Sequence, residues 1–336
     1  HPYAQQTTLG DPEQLKNPSI VNIKRFYEQY YVPNNMAVIV AGDFDPDEAI
    51  RIIDKHFGHM EPRDVPAFTF EPEPPITTPV IKEVEGLASE YVQIGFRFEG
   101  ANAEYLPYLE LMSNILGNGR AGLVDQNINK QQAARGTSAT TMSLADYSVL
   151  NMFGRNKDGQ TLDEVKELLL EQVEVLKSGD WPDWMMEAGV NHIRLSQERR
   201  VESTNSRARD LTMTYLMDVP YQQTLEFVDK LSAITKEEII AFANEHLRED
   251  NYAVVYKRQV ETLDVEQVEK PSITPIHINR DAKSDLLIQV ENTEVPPIEP
   301  EFVDFDKDLI RVFLPNGAEL LYVQDKTDPS FNLAFE

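Results

Sequence analysis

The sequence predicts an α+β protein made of repeated units, and three observations predict it. Stretches with helical apolar spacing are interleaved with short alternating or apolar stretches that read as strands. Two proline-rich acidic stretches divide the chain. A segment near the start recurs, without gaps, 216 positions later.

In chain order, Ser19 is placed to cap a helix running to residue 31, with Ile20, Ile23, Phe26, Tyr27 and Tyr30 on one face. Residues 36–41 read as a short apolar strand. Asp45 then caps a helix with Pro46 in its first turn, and Ile50, Ile53 and Phe57 are expected on its buried side. Pro62, Pro66, Pro72, Pro74, Pro75 and Pro79 remove backbone donors and bias their neighbours to extended shapes, so residues 61–79 read as a linker. Residues 91–98 alternate like a strand, 105–116 are helical, and 117–122 form a glycine-rich loop. Residues 137–153 read as strands with a turn near 144–147. Leu162, Val165, Leu168, Leu169, Val173 and Leu176 keep helical spacing, and another helix covers about residues 182–201. Thr235 and Glu238 form a capping box for a helix to residue 247, followed by a strand at 252–256. A second linker, 261–303, holds Pro271, Pro275, Pro296, Pro297 and Pro300, and within it residues 286–290 alternate weakly, as a strand would. Residues 309–323 read as a hairpin turning on Asn316-Gly317.

The repeat organises these elements. Residues 19–40, moved forward by 216 positions, land on 235–256. Both segments open on a hydroxyl cap, and Ile23 falls on Ile239, Phe26 on Phe242, Asn35 on Asn251, Ala37 on Ala253 and Val38 on Val254. Both run helix, short polar loop, apolar strand. The chain therefore reads as the end of one unit, a nearly complete second unit, and the opening of a third.

Composition sets outer bounds. A chain of 336 residues suits about two domains, and 41% hydrophobic content is globular. No apolar run approaches the ~18 residues that a membrane span needs. The absence of cysteine excludes disulfides, thiolate metal sites and a cysteine nucleophile. A formal net charge of -26 repels phosphate backbones and anionic membrane surfaces, so neither is an expected partner. A chain that opens on His1 and not Met is expected to be either a processed product or a piece of something longer.

Several ordered motifs carry a resemblance. His1-Pro2-Tyr3, Gly10-Asp11-Pro12-Glu13, Phe26-Tyr27, Tyr31-Val32-Pro33-Asn34-Asn35-Met36 and Gly42-Asp43-Phe44-Asp45 resemble the latter part of the catalytic domain in insulinase/pitrilysin-like (M16) zinc metallopeptidases. The helix and small-residue loop at 105–119 look like those of the following domain in that family, and the Pro315-Asn316-Gly317 hairpin is similar to the start of a further one. The resemblance implies repeated α+β domains with mainly antiparallel sheets packed against helices, paired into half-shells that enclose a substrate chamber. It divides the chain into the end of a catalytic-type domain (1–60), a linker (61–79), a non-catalytic domain (80–260), an acidic linker (261–303) and the start of a third domain (304–336). The family binds zinc through an inverted His-x-x-Glu-His helix and a downstream Glu. The sequence holds no His-x-x-Glu-His, and the downstream Glu normally precedes the segment beginning at His1. No catalytic residue and no metal ligand is therefore expected here, with zinc confined to the full-length parent.

The remaining candidates are few. Of six histidines, only His56 and His59 are close, at a helix end where histidine favours the dipole, while zinc needs three or four ligands. Gly117-Asn118-Gly119-Arg120-Ala121-Gly122 matches G-x-G-x-x-G, but a helix precedes it where a dinucleotide site needs a strand. The plain reading is a helix terminus with flexible glycines. In the related mitochondrial processing peptidase, a glycine-rich loop of the non-catalytic subunit touches substrate. That likeness implies Gly117, Asn118, Gly119, Arg120 and Gly122 as substrate-binding residues, with backbone donors holding an extended peptide. Many family members carry an Arg and a Tyr shortly after this loop, and residues 129–136 do not match them. Arg194, Arg199, Arg200, Arg207 and Arg209 form a basic cluster, read either as a chamber lining or as a solvated face paired with Glu198 and Glu202. Trp181, Trp184, Met185 and Met186 read as core. The expected function is the non-catalytic portion of a zinc endopeptidase or oligopeptidase. Its partners are peptide or unfolded protein and the remaining domains of the same polypeptide. The alternative is a scaffold or peptide-binding module from an inactive homologue.

Overall fold

A computed structural model describes residues 1–5, 9–10, 15, 18–263, 279–300, 302, 304–305, 307–324, 331 and 333–334. It divides into two compact units, His1–Pro271 and Ser272–Glu336.

After a single helical turn at Pro2–Gln5, the first unit forms α1 (Ile20–Tyr30), where the Ser19 side chain accepts from Asn22 N–H, and α2 (Pro46–Phe57), where Asp45 accepts from Glu48 N–H. Both caps satisfy donors that a helix start leaves open. The apolar sides of the two helices are bare. Ile20, Ile23, Phe26 and Tyr27 are exposed, as are Ile50, Ile52 and Phe57, so the buried side expected of Ile50, Ile53 and Phe57 does not form. Residues 36–41 are also corrected. They are extended but belong to no sheet, because no strand among the described residues lies alongside to accept their hydrogen bonds.

The sheet comes next. It comprises β1 (Val80–Gly86), β2 (Tyr91–Glu99), β3 (Gly136–Ser143), β4 (Tyr147–Arg155) and β5 (Tyr252–Gln259) in the order β1-β5-β2-β4-β3. Only the β1–β5 pair is parallel. Strand alternation decides which face is buried. Val92, Ile94, Phe96 and Phe98 point one way, register against Leu150, Met152 and Val254, and are all buried. Helices α3 (Leu106–Leu116), α4 (Leu162–Ser178) and α9 (Lys236–His246) cover that face. Behind them lie α5 (Trp184–Glu202), α6 (Thr204–Leu216), α7 (Tyr221–Leu225) and α8 (Phe227–Ala233), with α5 and α8 packed on α3. Trp181 and Met185 enter the core as expected, whereas Trp184 is half exposed.

The repeat holds at the level of individual hydrogen bonds. Helices α1 and α9 are both 11 residues long and offset by 216 positions. Tyr31 N–H donates to Tyr27 O at 2.9 Å, and Leu247 N–H to Ala243 O at 2.8 Å. Asn35 Nδ2 donates to Tyr30 O at 2.9 Å, and Asn251 Nδ2 to His246 O at 2.8 Å. Each acceptor and donor in the second copy is the counterpart of the one in the first. The copies differ at the cap, where only Thr235 and Glu238 form a full box, and in the loop, where only Pro33–Asn35 makes a 3-10 turn. They diverge most afterwards, where β5 finds two neighbours and residues 36–41 find none among the described residues.

One buried cation pins the β1–β2 turn. Lys257 is 7% exposed, and its ammonium donates to the carbonyls of Gly86, at 2.9 Å, and of Ala88 and Ser89. Lys257→Met would keep the stem and remove the donor shared by the Ala88 and Ser89 carbonyls, while Gly86 O keeps Val260 N–H at 3.1 Å, so we expect a loss of about 2 kcal/mol in urea unfolding, with an unchanged slope. A neighbouring ring cluster holds His246 against Phe242, with centroids 4.3 Å apart, and burial pushes its pKa below the usual histidine value.

The second unit contains α10 (Asp285–Glu291), capped by Ser284, and a hairpin of β6 (Ile310–Phe313) and β7 (Glu319–Tyr322). The weak alternation of residues 286–290 thus belongs to a helix and not a strand. Five residues are too few to separate the two periods, and the Ser284 side chain decides by accepting from Leu287 N–H at 3.2 Å. The hairpin turns where expected: Gly317 takes φ +85°, and Asn316 accepts from Ala318 N–H. Pro271, Pro275 and His277 in the second linker, and Asp11, Pro12 and Glu13 in the first motif series, lie outside the described residues.

Candidate functional site

The glycine-rich loop leaves the end of α3 and turns back on a single carboxylate. Asp125, 5% exposed, accepts through Oδ2 from Asn118 N–H at 3.0 Å and Gly122 N–H at 3.1 Å. The Asn118 side chain accepts from Arg120 N–H at 3.1 Å and Ala121 N–H at 2.8 Å, while Gly117 N–H donates to Ser113 O at 2.8 Å. Two glycines are required by contact: a Cβ on Gly122 would lie 2.5 Å from the Gly117 Cα, and one on Gly117 would lie 2.9 Å from Ala139 N. Gly119 is required by its φ of +79°.

The five residues expected to bind substrate are therefore brought together, but most of their backbone donors are already spent. Among the described residues, only Gly119 keeps an unpartnered N–H in this loop, and beside it stands the exposed Arg120 guanidinium. A single residue, Asn129, ties the loop's far side to β3. Its side chain donates to Thr137 O at 2.9 Å and accepts from Thr137 N–H at 2.8 Å and from Thr137 Oγ1 at 2.9 Å. Sequence reasoning missed Asp125 and Asn129. The available signal was an acid three residues past the last glycine, where a turn donor can reach it.

The second feature is the sheet face opposite the core helices, against which no long described helix packs; at one end the His1 ring, ahead of the short helix Pro2–Gln5, lies 5.3 Å from the Tyr147 ring. It presents Tyr91, Gln93 and Arg97 from β2, Ser138 and Thr140 from β3, and Tyr147, Asn151 and Phe153 from β4, all partly or fully exposed. The 61–79 segment crosses only one end of it. There Glu73 N–H donates to Tyr147 Oη at 2.9 Å and Arg97 donates to Pro74 O at 2.6 Å. The rest is a strip of aromatic and amide side chains that offers both ring surface and hydrogen bonds.

Among the described residues, metal chemistry finds no fitting donor set. His56 and His59 are exposed at the end of α2. Among the described residues, no group of three His, Cys, Asp or Glu side chains is placed to hold an ion. The basic cluster is partly internally engaged. Arg200 lies 3.7 Å from Asp210, and Arg194 donates to Asn191 and Ser232. No described helix is long and apolar enough to cross a membrane.

Known proteins place this geometry. The family model for the peptidase M16 inactive domain matches residues 20–192. Zinc protease PqqE of Helicobacter pylori (strain ATCC 700392 / 26695) is 22% identical over 264 residues, covering 76% of this chain and 58% of that protein. The chain thus spans little more than half the length of that relative. Among solved structures, a protease from Helicobacter pylori superposes with a TM-score of 0.68 at 19% identity, covering 74% of this chain and 61% of the other. A peptidase M16 inactive domain from Pseudomonas fluorescens gives 0.63 at 18% identity, covering 80% and 63%. These neighbours share the mixed fold with its mostly antiparallel sheet.

Proposed function

The chain belongs to the M16 peptidase family through that family's inactive domain, and we propose that it is the non-catalytic portion of a zinc-dependent endopeptidase or oligopeptidase, forming part of a substrate-enclosing chamber. The observation that carries this reading is the one-sided sheet. A face of partly exposed aromatic, amide and hydroxyl groups, with the core helices behind it, suits a wall against which an unfolded peptide can slide without a fixed register. The spent donors of the glycine-rich loop limit its part. Contact with peptide there runs through Gly119 N–H and the Arg120 guanidinium. Residues 1–60 are the C-terminal part of a first, catalytic-type domain, 80–260 the non-catalytic domain and 304–336 the opening of a third, joined by the linkers 61–79 and 261–303. The bare sides of α1 and α2 support the first of these assignments. Zinc belongs to the parent, whose relatives are named zinc proteases.

The test has two arms. The 336-residue chain, dialysed against trace zinc, is expected to retain no stoichiometric metal and to leave an unstructured reporter peptide uncut. Stoichiometric zinc with cleavage would overturn the non-catalytic reading. In the longer protein, a photo-reactive side chain at Gln93 is expected to label the bound reporter. Cleavage without labelling would remove the wall role, and a longer protein with neither zinc nor cleavage would leave a scaffold.

A further inference from the structure

A cavity of about 770 Å3 lies away from both features described above, between the loop that precedes α3, the ends of α5 and α6, the short helices α7 and α8, and the 40–44 segment. Its volume falls in the range of sites that enclose small ligands, roughly 300–1,000 Å3. Leu106, Leu211, Leu225 and Phe227 give it an apolar interior.

The charged side chains around it pair off only in part. Arg200, Arg207 and Lys230 line it, against Glu104 and Asp210. Arg200 is already committed: its Nε lies 3.7 Å from Asp210 Oδ2, and it also acts on Glu110, whose carboxyl burial pushes upward in pKa while the guanidinium pulls it back. Lys230 is 3.6 Å from Glu226. That leaves two lining charges without an opposite partner among the described residues, both exposed at the cavity wall: Arg207 and Glu104. Of the two, only the guanidinium can hold an anion, and beside apolar space, in a chain carrying a formal charge of -26, it suits a ligand with one negative group and an apolar body. Two lining amides, Asn102 and Gln223, also lack side-chain partners among the described residues. Each offers a donor and an acceptor, as a peptide bond requires and an alkyl chain does not.

We infer that this cavity binds the C-terminal end of a peptide, with an apolar side chain inside it, the terminal carboxylate on Arg207, and the last peptide bonds on Asn102 and Gln223. None of the lining residues is on the open sheet face, so capture here can fail while the wall reading stands, and the reverse.

The experiment uses the whole chain and a dansylated tetrapeptide, Ala-Ala-Leu-Phe, as the free acid and as the C-terminal amide, read by fluorescence anisotropy. The acid is expected to bind at least about tenfold more tightly than the amide, the scale of one charge-assisted contact. Arg207→Gln should bring the acid down to the amide, while Arg209→Gln, the same charge change outside the cavity lining, should leave the preference intact. Equal binding of acid and amide, a preference that survives Arg207→Gln, or no binding of either would overturn the assignment. Binding of decanoate without the peptide would overturn it too, by assigning the site to a simple apolar anion. Circular dichroism melts check that both variants fold, and if Arg207→Gln does not, the acid-to-amide ratio of the unaltered chain decides alone.

Discussion

Replacing Asp125 by alanine is expected to cost about 4 kcal/mol and to unfasten the glycine-rich loop. The carboxylate is buried and is the acceptor for two backbone donors, Asn118 N–H and Gly122 N–H, and for Asn129 Nδ2 at 3.3 Å. Removing it leaves the Gly122 N–H buried without a partner. A stranded buried donor costs about 1–3 kcal/mol, and bonds to a charged acceptor are the stronger kind. Water cannot substitute easily, because Gly117 and Gly122 are pressed together where even one added carbon would not fit. Asp125→Asn keeps one acceptor oxygen and should recover about half the loss. Urea unfolding gives the magnitude. Hydrogen exchange at Gly122 gives the location: its amide should exchange far faster in Asp125→Ala, while core amides in β2 and β4 change only with global stability. A small, uniform effect would mean that the loop is held by its glycines alone.

That expectation also marks where the sequence was legible and where it was not. Caps are local chemistry, so Ser19, Asp45 and the Thr235–Glu238 box could be read from neighbours three residues apart, and all three cap as read. The strand at Tyr91–Glu99 carries its own alternation, and every second residue is buried. Strand β1 carries none: Val80–Gly86 is largely exposed, and it is defined by a parallel partner some 170 residues later. Helix α6 reads Thr-Asn-Ser-Arg-Ala-Arg-Asp-Leu-Thr-Met-Thr-Tyr-Leu and buries nothing, so no apolar stripe announces it. For the loop, the glycines are visible in the sequence, whereas the acceptor that consumes their donors, Asp125, is brought to them only by the folded turn. The cavity beside Arg207 draws on distant stretches between residues 40 and 230, and no spacing rule joins them.

The repeat permits a sharper comparison, between equivalent residues in unequal surroundings. Ile239 is 0% exposed and Phe242 9% exposed, whereas their counterparts Ile23 and Phe26 are 51% and 58% exposed. In the second copy α9 packs on α3 and α4, and β5 lies between β1 and β2. In the first copy the same helix, cap and loop present the same kinds of side chain to solvent. Ile239→Ala should therefore cost about 4 kcal/mol, the transfer loss plus a cavity, while Ile23→Ala should cost under about 1 kcal/mol. Chemical denaturation at several protein concentrations measures both. A cost for Ile23→Ala that matches Ile239→Ala and grows with concentration would mean that a second copy covers the first-copy face. If residues 1–60 complete a catalytic-type domain in the longer protein, Ile23→Ala should there rise toward the cost of Ile239→Ala, since the same helix would then have a sheet to bury against. An Ile23 that stays cheap in the longer protein would sink that domain assignment while leaving the fold of residues 80–260 untouched.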